Sequence, residues 1–344
     1  MSRELLNTLF VTTQGAYVHT EGDTIRVEAD KSLLLQVPLH HLGGIVVFGN
    51  VMMSPHAMMR CATEGRTVTF LDYNGRYLGR VAGPTSGNVL LREAQYSAHA
   101  DPKMKADIAR SIVAGKLHNL RGVLQRGSRE TDDEQSAECL RKSASAIGDT
   151  ISALRGVTNV DEIRGFEGQA TSDYFGVFAD MIFAQRTDFR FSGRNRRPPR
   201  DRVNALLSFL YALLANDCGA AAEGVGLDPQ IGYLHASRSG RPALALDLME
   251  EFRPILADRL ALNLINKRQI GPSDFDERPG GSVLLNETGR KAVLVAYQKR
   301  KQTEVGYTLL KSKIPLGLAP HLQARVLARR LRGEAAVYLP YIPR

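Results

Sequence analysis

Cysteine is scarce in this chain of 344 residues, which holds three: Cys61, Cys139 and Cys218. They are odd in number, far apart and without a CxxC pair, which argues against zinc or redox chemistry and leaves them a structural role. Long apolar runs are also lacking. None approaches the roughly 18–20 residues that span a bilayer, and Met1 to Phe10 has neither the basic start nor the apolar stretch of a signal peptide. These absences set the expectation of a cytoplasmic protein with no membrane partner. The chain has no GxxxxGKS/T phosphate loop, no HExxH, no GxSxG elbow and no GxGxxG after a strand, so the chemistries those motifs carry are disfavoured. It shows no internal repeat and no low-complexity tract.

What is present is an ordinary folded composition, 43% hydrophobic and 24% charged, with a formal net charge of +9. The length predicts two domains with separate cores. The charge favours a polyanionic partner, and nucleic acid is the commonest one for a protein without lipid-facing segments.

Residues 1–90 read as β-rich. Ile25 to Glu28 alternate after a Glu21-Gly22-Asp23 turn, and Gly44 to Phe48 reads as a buried strand. Ser54 followed by Pro55 starts a short helix through about Glu64. Thr67–Asp72 and Tyr77–Val81 flank Tyr73-Asn74-Gly75-Arg76, where Asn-Gly signals a type I′ hairpin. The turn formers from Gly83 to Asn88 read as a connector, which sets the boundary near Leu90. Residues 91–344 read as mainly helical, with helices over about 101–125, 133–155, 162–185, 201–218, 244–267 and 319–332 and irregular structure around Gly280-Gly281. The expected class is α+β: a small N-terminal β-rich domain, then a larger, mainly α-helical domain carrying the site.

Three segments of the second domain hold its candidate chemistry. Asp247 and Glu250 in LALDLMEEFRP lie three apart, on one face of a mostly apolar helix. A solvated acidic face is the plainer reading, but the bracketing leucines point to buried carboxylates, which are paired or metal-bound. His235 ends GLDPQIGYLH and precedes the basic loop that holds Arg238 and Arg241. A lone histidine is commonly structural, yet arginines beside imidazole and carboxylate suit phosphate. Glu167 in RGFEGQATSDYF adjoins Gly168, with Tyr174, a candidate nucleic-acid contact, two turns on. Together the segments offer carboxylate and imidazole ligands for Mg²⁺ or Mn²⁺ and point to phosphodiester hydrolysis or strand transfer. The run Arg194-Asn195-Arg196-Arg197-Pro198-Pro199-Arg200-Asp201-Arg202 reads as a grip on the nucleic-acid backbone or as a solvated loop.

These segments, in this order, resemble the CRISPR-associated spacer-acquisition integrases, the Cas one family, over nearly the whole chain. GFEGQATSDYF resembles the family's first ligand segment, RRPPRDRVNALLSFLYALL its basic helix, GLDPQIGYLH its histidine segment and LALDLMEEFRP its last acidic segment. The resemblance implies Glu167, His235 and Glu250 as metal ligands, Glu250 standing where many relatives have aspartate, with Asp247 in support. It also implies an N-terminal homodimerisation domain and a partnership with the small Cas two protein. The expected activity is joining of 3′-hydroxyl ends of short foreign DNA to the CRISPR repeat, with cleavage of single-stranded or branched DNA. LLNTLFVTTQGAYV resembles the subtype I-C branch. Two other readings remain at this level: a non-catalytic DNA-binding scaffold, and a repair nuclease for branched DNA.

Overall fold

The computed structural model describes residues 8–73, 77–81, 83, 89–195 and 198–343. The N-terminal part runs β1 (Thr8–Val11), β2 (Tyr17–Glu21), β3 (Thr24–Ala29), β4 (Ser32–Pro38), β5 (Gly44–Phe48), β6 (Met52–Met53), α1 (Pro55–Thr63), β7 (Thr67–Leu71) and β8 (Tyr77–Val81). These strands form two four-stranded sheets, ordered β4-β3-β2-β6 and β1-β5-β7-β8. β2 and β3 make the expected hairpin, turned at Gly22, whose φ of 53° lies in the left-handed region that glycine tolerates. Ser54 accepts from the Ala57 N–H at 3.1 Å and caps α1, with proline in its first turn. β7 and β8 pair antiparallel as expected; the Asn74-Gly75 turn between them and residues 84–88 of the connector lie outside the described residues.

β5 lies between β1 and β7, parallel to both, and is buried on both faces. The period-2 alternation of a strand divides its side chains between two cores. Ile45 and Val47 join Val18, Ile25 and Val27 between the sheets. Val46 and Phe48 instead enter the large helical core, where Phe48 lies 6.0 Å, ring to ring, from Phe209.

The rest of the chain is α2 (Val89–Ala100), α3 (Pro102–Glu130), α4 (Glu134–Ala153), α5 (Val160–Gly176), α6 (Arg202–Val225), α7 (Ala243–Phe252), α8 (Arg259–Asn266), β9 (Phe275–Arg278), β10 (Ser282–Leu285), α9 (Glu287–Lys301), β11 (Glu304–Tyr307), β12 (Ser312–Pro315) and α10 (Ala319–Leu331). A π-helical stretch, Arg253–Asp258, joins α7 to α8. The six anticipated helices are present, with α5 ending at Gly176, well short of residue 185. Asp133 caps α4 by accepting from Ser136 N–H, close to the start expected at about residue 133. The sequence reading missed α2, α9 and the hairpins β9–β10 and β11–β12. The first hairpin encloses Gly280 and Gly281, both at positive φ. α6 is the one helix among the described residues long and apolar enough to cross a membrane, so apolar length is less scarce than the sequence suggested. Most of that length is buried inside the protein, as in a core helix.

Candidate metal centre

α7 carries three carboxylates on ten residues, and all three are buried: Asp247 at 0%, Glu250 at 1% and Glu251 at 0% exposure. Burying a charge without a partner costs several kcal/mol, so each must be matched. The solvated-face reading of this segment is thereby overturned.

Asp247 is occupied by the segment that carries His235. Its Oδ2 accepts from the backbone N–H groups of Tyr233 (2.5 Å) and Leu234 (3.0 Å), and its Oδ1 accepts from His235 N–H (2.9 Å). His235 Nδ1 also lies 2.7 Å from Oδ1. This contact orients the ring so that its neutral form would donate through Nδ1 and keep the lone pair on Nε2. Nε2 points toward Glu250, 3.7 Å from its Oε1. Gly232 permits this fold-back, because a Cβ there would lie 2.6 Å from Asp247 Oδ2 and 2.7 Å from the Ala243 carbonyl carbon.

Glu250 faces two cations. Arg253 Nη1 is 2.8 Å from Oε1, and Lys116 Nζ is 2.7 Å from Oε2. The lysine contact is an ion pair without hydrogen-bond alignment, which leaves Oε2 with no formal donor. Burial by itself raises the Glu250 pKa, but Arg253, Lys116 and His235 outweigh it and hold it at about 2. Lys116 of α3, itself 2% exposed, also contacts Glu167 Oε1, which accepts from Thr171 Oγ1 at 2.9 Å as well. One ammonium thus bridges Glu167 and Glu250.

Among the described residues no three acidic, histidine or cysteine side chains are drawn into a ligating cluster. A protein cation stands between the two glutamates instead. The donor chemistry nonetheless fits a hard divalent cation: two carboxylates in a place that already demands positive charge, and an imidazole whose free nitrogen faces one of them.

Sequence reasoning missed Lys116 and Arg253. Arg253 sits three residues after Glu250, a spacing that could have disclosed it. Lys116 lies inside an apolar helical stretch with no local signal.

A second support comes from α2. Gln95, fully buried, donates to the carbonyls of Asp228 (2.8 Å) and Ile231 (2.9 Å) and accepts from Asp228 N–H (2.8 Å). His99 Nδ1 adds a contact to Gly232 O at 2.6 Å, and Arg164 of α5 donates to Leu234 O at 2.6 Å. The His235 segment is held from three sides.

The family model described as CRISPR associated protein Cas1 matches residues 9–299. This chain belongs to the Cas1 family. The CRISPR-associated endonuclease Cas1 1 of Moorella thermoacetica is 54% identical over 99% of both chains. A Cas1 protein of Thermotoga maritima has the same fold, with a TM-score of 0.80, 24% identity and coverage of 98% of this chain and 100% of that one. A chain of a partial Cas6-RT-Cas1–Cas2 complex is similar at a TM-score of 0.66 and 25% identity, over 97% of this chain and 98% of that one.

The positions read from sequence as nucleic-acid contacts fare unevenly in this Cas1 chain. Tyr174 is a correction: it is 0% exposed, packed edge-on against Phe175 and Phe178, and cannot reach a strand. Arg194 turns inward, donating to Asn204 Oδ1 with its guanidinium 5.1 Å from the Tyr211 ring centre. Arg202 is committed to Asp188 O (2.8 Å) and Glu277 Oε1 (2.9 Å). Arg200 and Arg238 are exposed and Arg241 is half-buried. Arg196 and Arg197 lie outside the described residues.

Proposed function

We propose that this Cas1 protein is the metal-dependent DNA endonuclease and integrase of CRISPR adaptation, joining 3′-hydroxyl ends of short DNA to the CRISPR repeat by transesterification. The observation that carries the chemistry is that Lys116 bridges Glu167 and Glu250, residues of two distant segments, while His235 Nε2 lies 3.7 Å from Glu250 Oε1. Glu167, Glu250 and the Nε2 of His235 would hold Mg²⁺ or Mn²⁺. When bound, the cation supplies Lewis acidity at the phosphodiester and makes a water or 3′-hydroxyl more acidic. Asp247 acts through His235 by fixing its tautomer and direction. Lys116 and Arg253 hold the buried Glu250 carboxylate charged, and Lys116 ties Glu167 to it.

The substrate is double-stranded or branched DNA, with Arg200, Arg238 and Arg241 and, from the sequence alone, Arg196 and Arg197 as backbone contacts. The partner is Cas2, on the model of the similar Cas1–Cas2 assembly. Residues 1–90 serve as a homodimerisation domain and 91–344 as the catalytic one. Support for self-association lies in β4, an edge strand that exposes Leu33, Leu34 and Leu35 at 41–50%. A cytoplasmic location and a subtype I-C system complete the reading.

The test is transfer of a labelled short duplex with 3′-hydroxyl ends into a plasmid carrying the repeat, with Cas2 and either metal. Joining by the wild type and its loss in Glu167→Ala, with DNA binding kept, is expected. Equal joining by both proteins rejects the site. The scaffold alternative needs no imidazole, so Mn²⁺ binding that survives His235→Ala would favour it.

A further inference from the structure

α3, the chain that follows α5, and α8 meet at a concave pocket whose lining includes neither Glu167 nor Glu250. Val123 and Gly127 form its α3 wall and lie about 20° to either side of Lys116 around the helix, so the pocket continues the Lys116 face. Gly127 is eleven residues beyond Lys116, about 16 Å along the axis at 1.5 Å per residue. Arg126 and Glu130 of α3 and Arg259 of α8 bring charge to it.

The charges do not balance. Arg126 is paired with Glu130, both about half exposed. Arg259 is half-buried and makes no hydrogen bond or ion pair within the described residues. Arg300 of α9 is electrostatically close; its Nη2 donates to Ile255 O at 3.1 Å and its buried Nε has no hydrogen-bond partner among the described residues. Burial, with repulsion from Arg126 and Arg300, presses the Arg259 pKa down to about 10, against a smaller opposing pull from Glu130. Three guanidiniums against one carboxylate is a surplus of positive charge at a concave surface. A half-buried guanidinium without an acceptor is unfavourable unless an oxygen from outside completes it.

We infer that Arg259, with Arg126 beside it, is a phosphate-binding subsite for the DNA strand, remote from the candidate metal centre. A guanidinium fork matches a phosphate in two-point fashion and stays charged at every working pH. The inference rests on the reading of this protein as a DNA enzyme. A polynucleotide is the favoured source of the phosphate, because the chain carries a net charge of +9 and the pocket sits on the helix that supplies Lys116. No residue of the candidate metal centre takes part.

The experiment is fluorescence anisotropy of metal-free protein with a labelled single strand over a series of salt concentrations, for wild type, Arg259→Ala, Arg259→Lys and Glu167→Ala. Thermal unfolding of each variant, with and without inorganic phosphate, accompanies it. Arg259→Ala should weaken binding about tenfold and flatten the plot of log K against log salt by about 0.7 for each phosphate no longer neutralised. Arg259→Lys should keep most of the slope, which shows that charge and not a folding defect is read. An unchanged slope and affinity in a folded Arg259→Ala overturns the subsite. Phosphate stabilisation that depends on Arg259, with no change in DNA slope, assigns the pocket to a free anion and also overturns it. A wild type with no salt-dependent binding sinks the broader DNA reading along with the subsite, whereas loss confined to Arg259→Ala leaves that reading standing.

Discussion

A lysine at 2% exposure is tolerable only where its charge is answered, and Lys116 is answered twice, by Glu167 and Glu250. Lys116→Met removes the cation and leaves two carboxylates facing each other. The metal-free protein should lose about 3–5 kcal/mol, the usual result of breaking a buried pair from one side, and Mn²⁺ should restore more stability to the variant than to wild type. Thermal unfolding with and without Mn²⁺ decides this; an unaltered metal-free melting temperature would show that the lysine is not the counterion. Asp247 permits a second test at this scale. Asp247→Asn cannot accept four hydrogen bonds through two oxygens, so His235 loses its direction. Mn²⁺ affinity measured by calorimetry should fall about 10–100-fold while the fold persists. Affinity within twofold of wild type would argue against a positioning role.

α7 and the segment before it form one device at the scale of elements. Pro229 O accepts from Leu244 N–H at 2.9 Å, satisfying a donor of the first turn of α7, so the segment that carries His235 also caps the helix that carries Glu250. Gln95 of α2 clamps the other side. Gln95→Leu strands one buried N–H and two carbonyls, which costs about 1–3 kcal/mol. Hydrogen exchange should speed up over residues 228–235 before it does in α6, and uniform exchange across both would refute the clamp. The N-cap of α1, the start of α4 and the buried strand β5 were legible because caps and strand alternation are short-range signals. α2 was not, because turn formers up to Asn88 directly precede it and its buried Gln95 and half-buried His99 interrupt any apolar stripe. α9 hid for a related reason: it buries Arg290 and Lys301, residues that ordinarily mark a solvent face.

Glu251 is the third carboxylate of α7 and binds the molecule's end to its centre. Its oxygens accept from Tyr338 OH, from Tyr341 N–H at 2.6 Å and from Gln323 Nε2 at 3.0 Å. Burial lifts its pKa to about 8 in spite of those donors. The folded state therefore holds this proton more tightly than the unfolded chain, whose carboxyl titrates near 4.5. The stabilisation is complete below that value and is lost progressively up to about pH 8, by at most about 1.4 kcal/mol per pH unit. Melting temperatures of wild type should fall relative to Glu251→Gln between pH 6 and 8; parallel curves would mean that the carboxyl is ionised throughout. The N-terminal sheets are tied in by Phe48. Phe48→Ala should cost about 3–5 kcal/mol, measured by denaturant unfolding, and a loss below about 1 kcal/mol would mean that the site collapses around the gap.

The order of residues was enough to give the kinds of group at the site and the succession of segments that deliver them, because Glu167, His235, Asp247 and Glu250 each sit in a distinctive local context. It was enough, too, for the β-rich beginning and the helical remainder, through alternation, caps and turn residues. Which charges meet is a matter of packing. Lys116 lies 51 positions from Glu167 and 134 from Glu250, and no pattern along the chain records that approach. The same holds for Tyr174 turned into the core, Arg194 and Arg202 spent on protein partners, and the Arg259 side chain left without one among the described residues. The identity of a side chain sets what it can bind, but its burial and its neighbours are fixed by how helices pack.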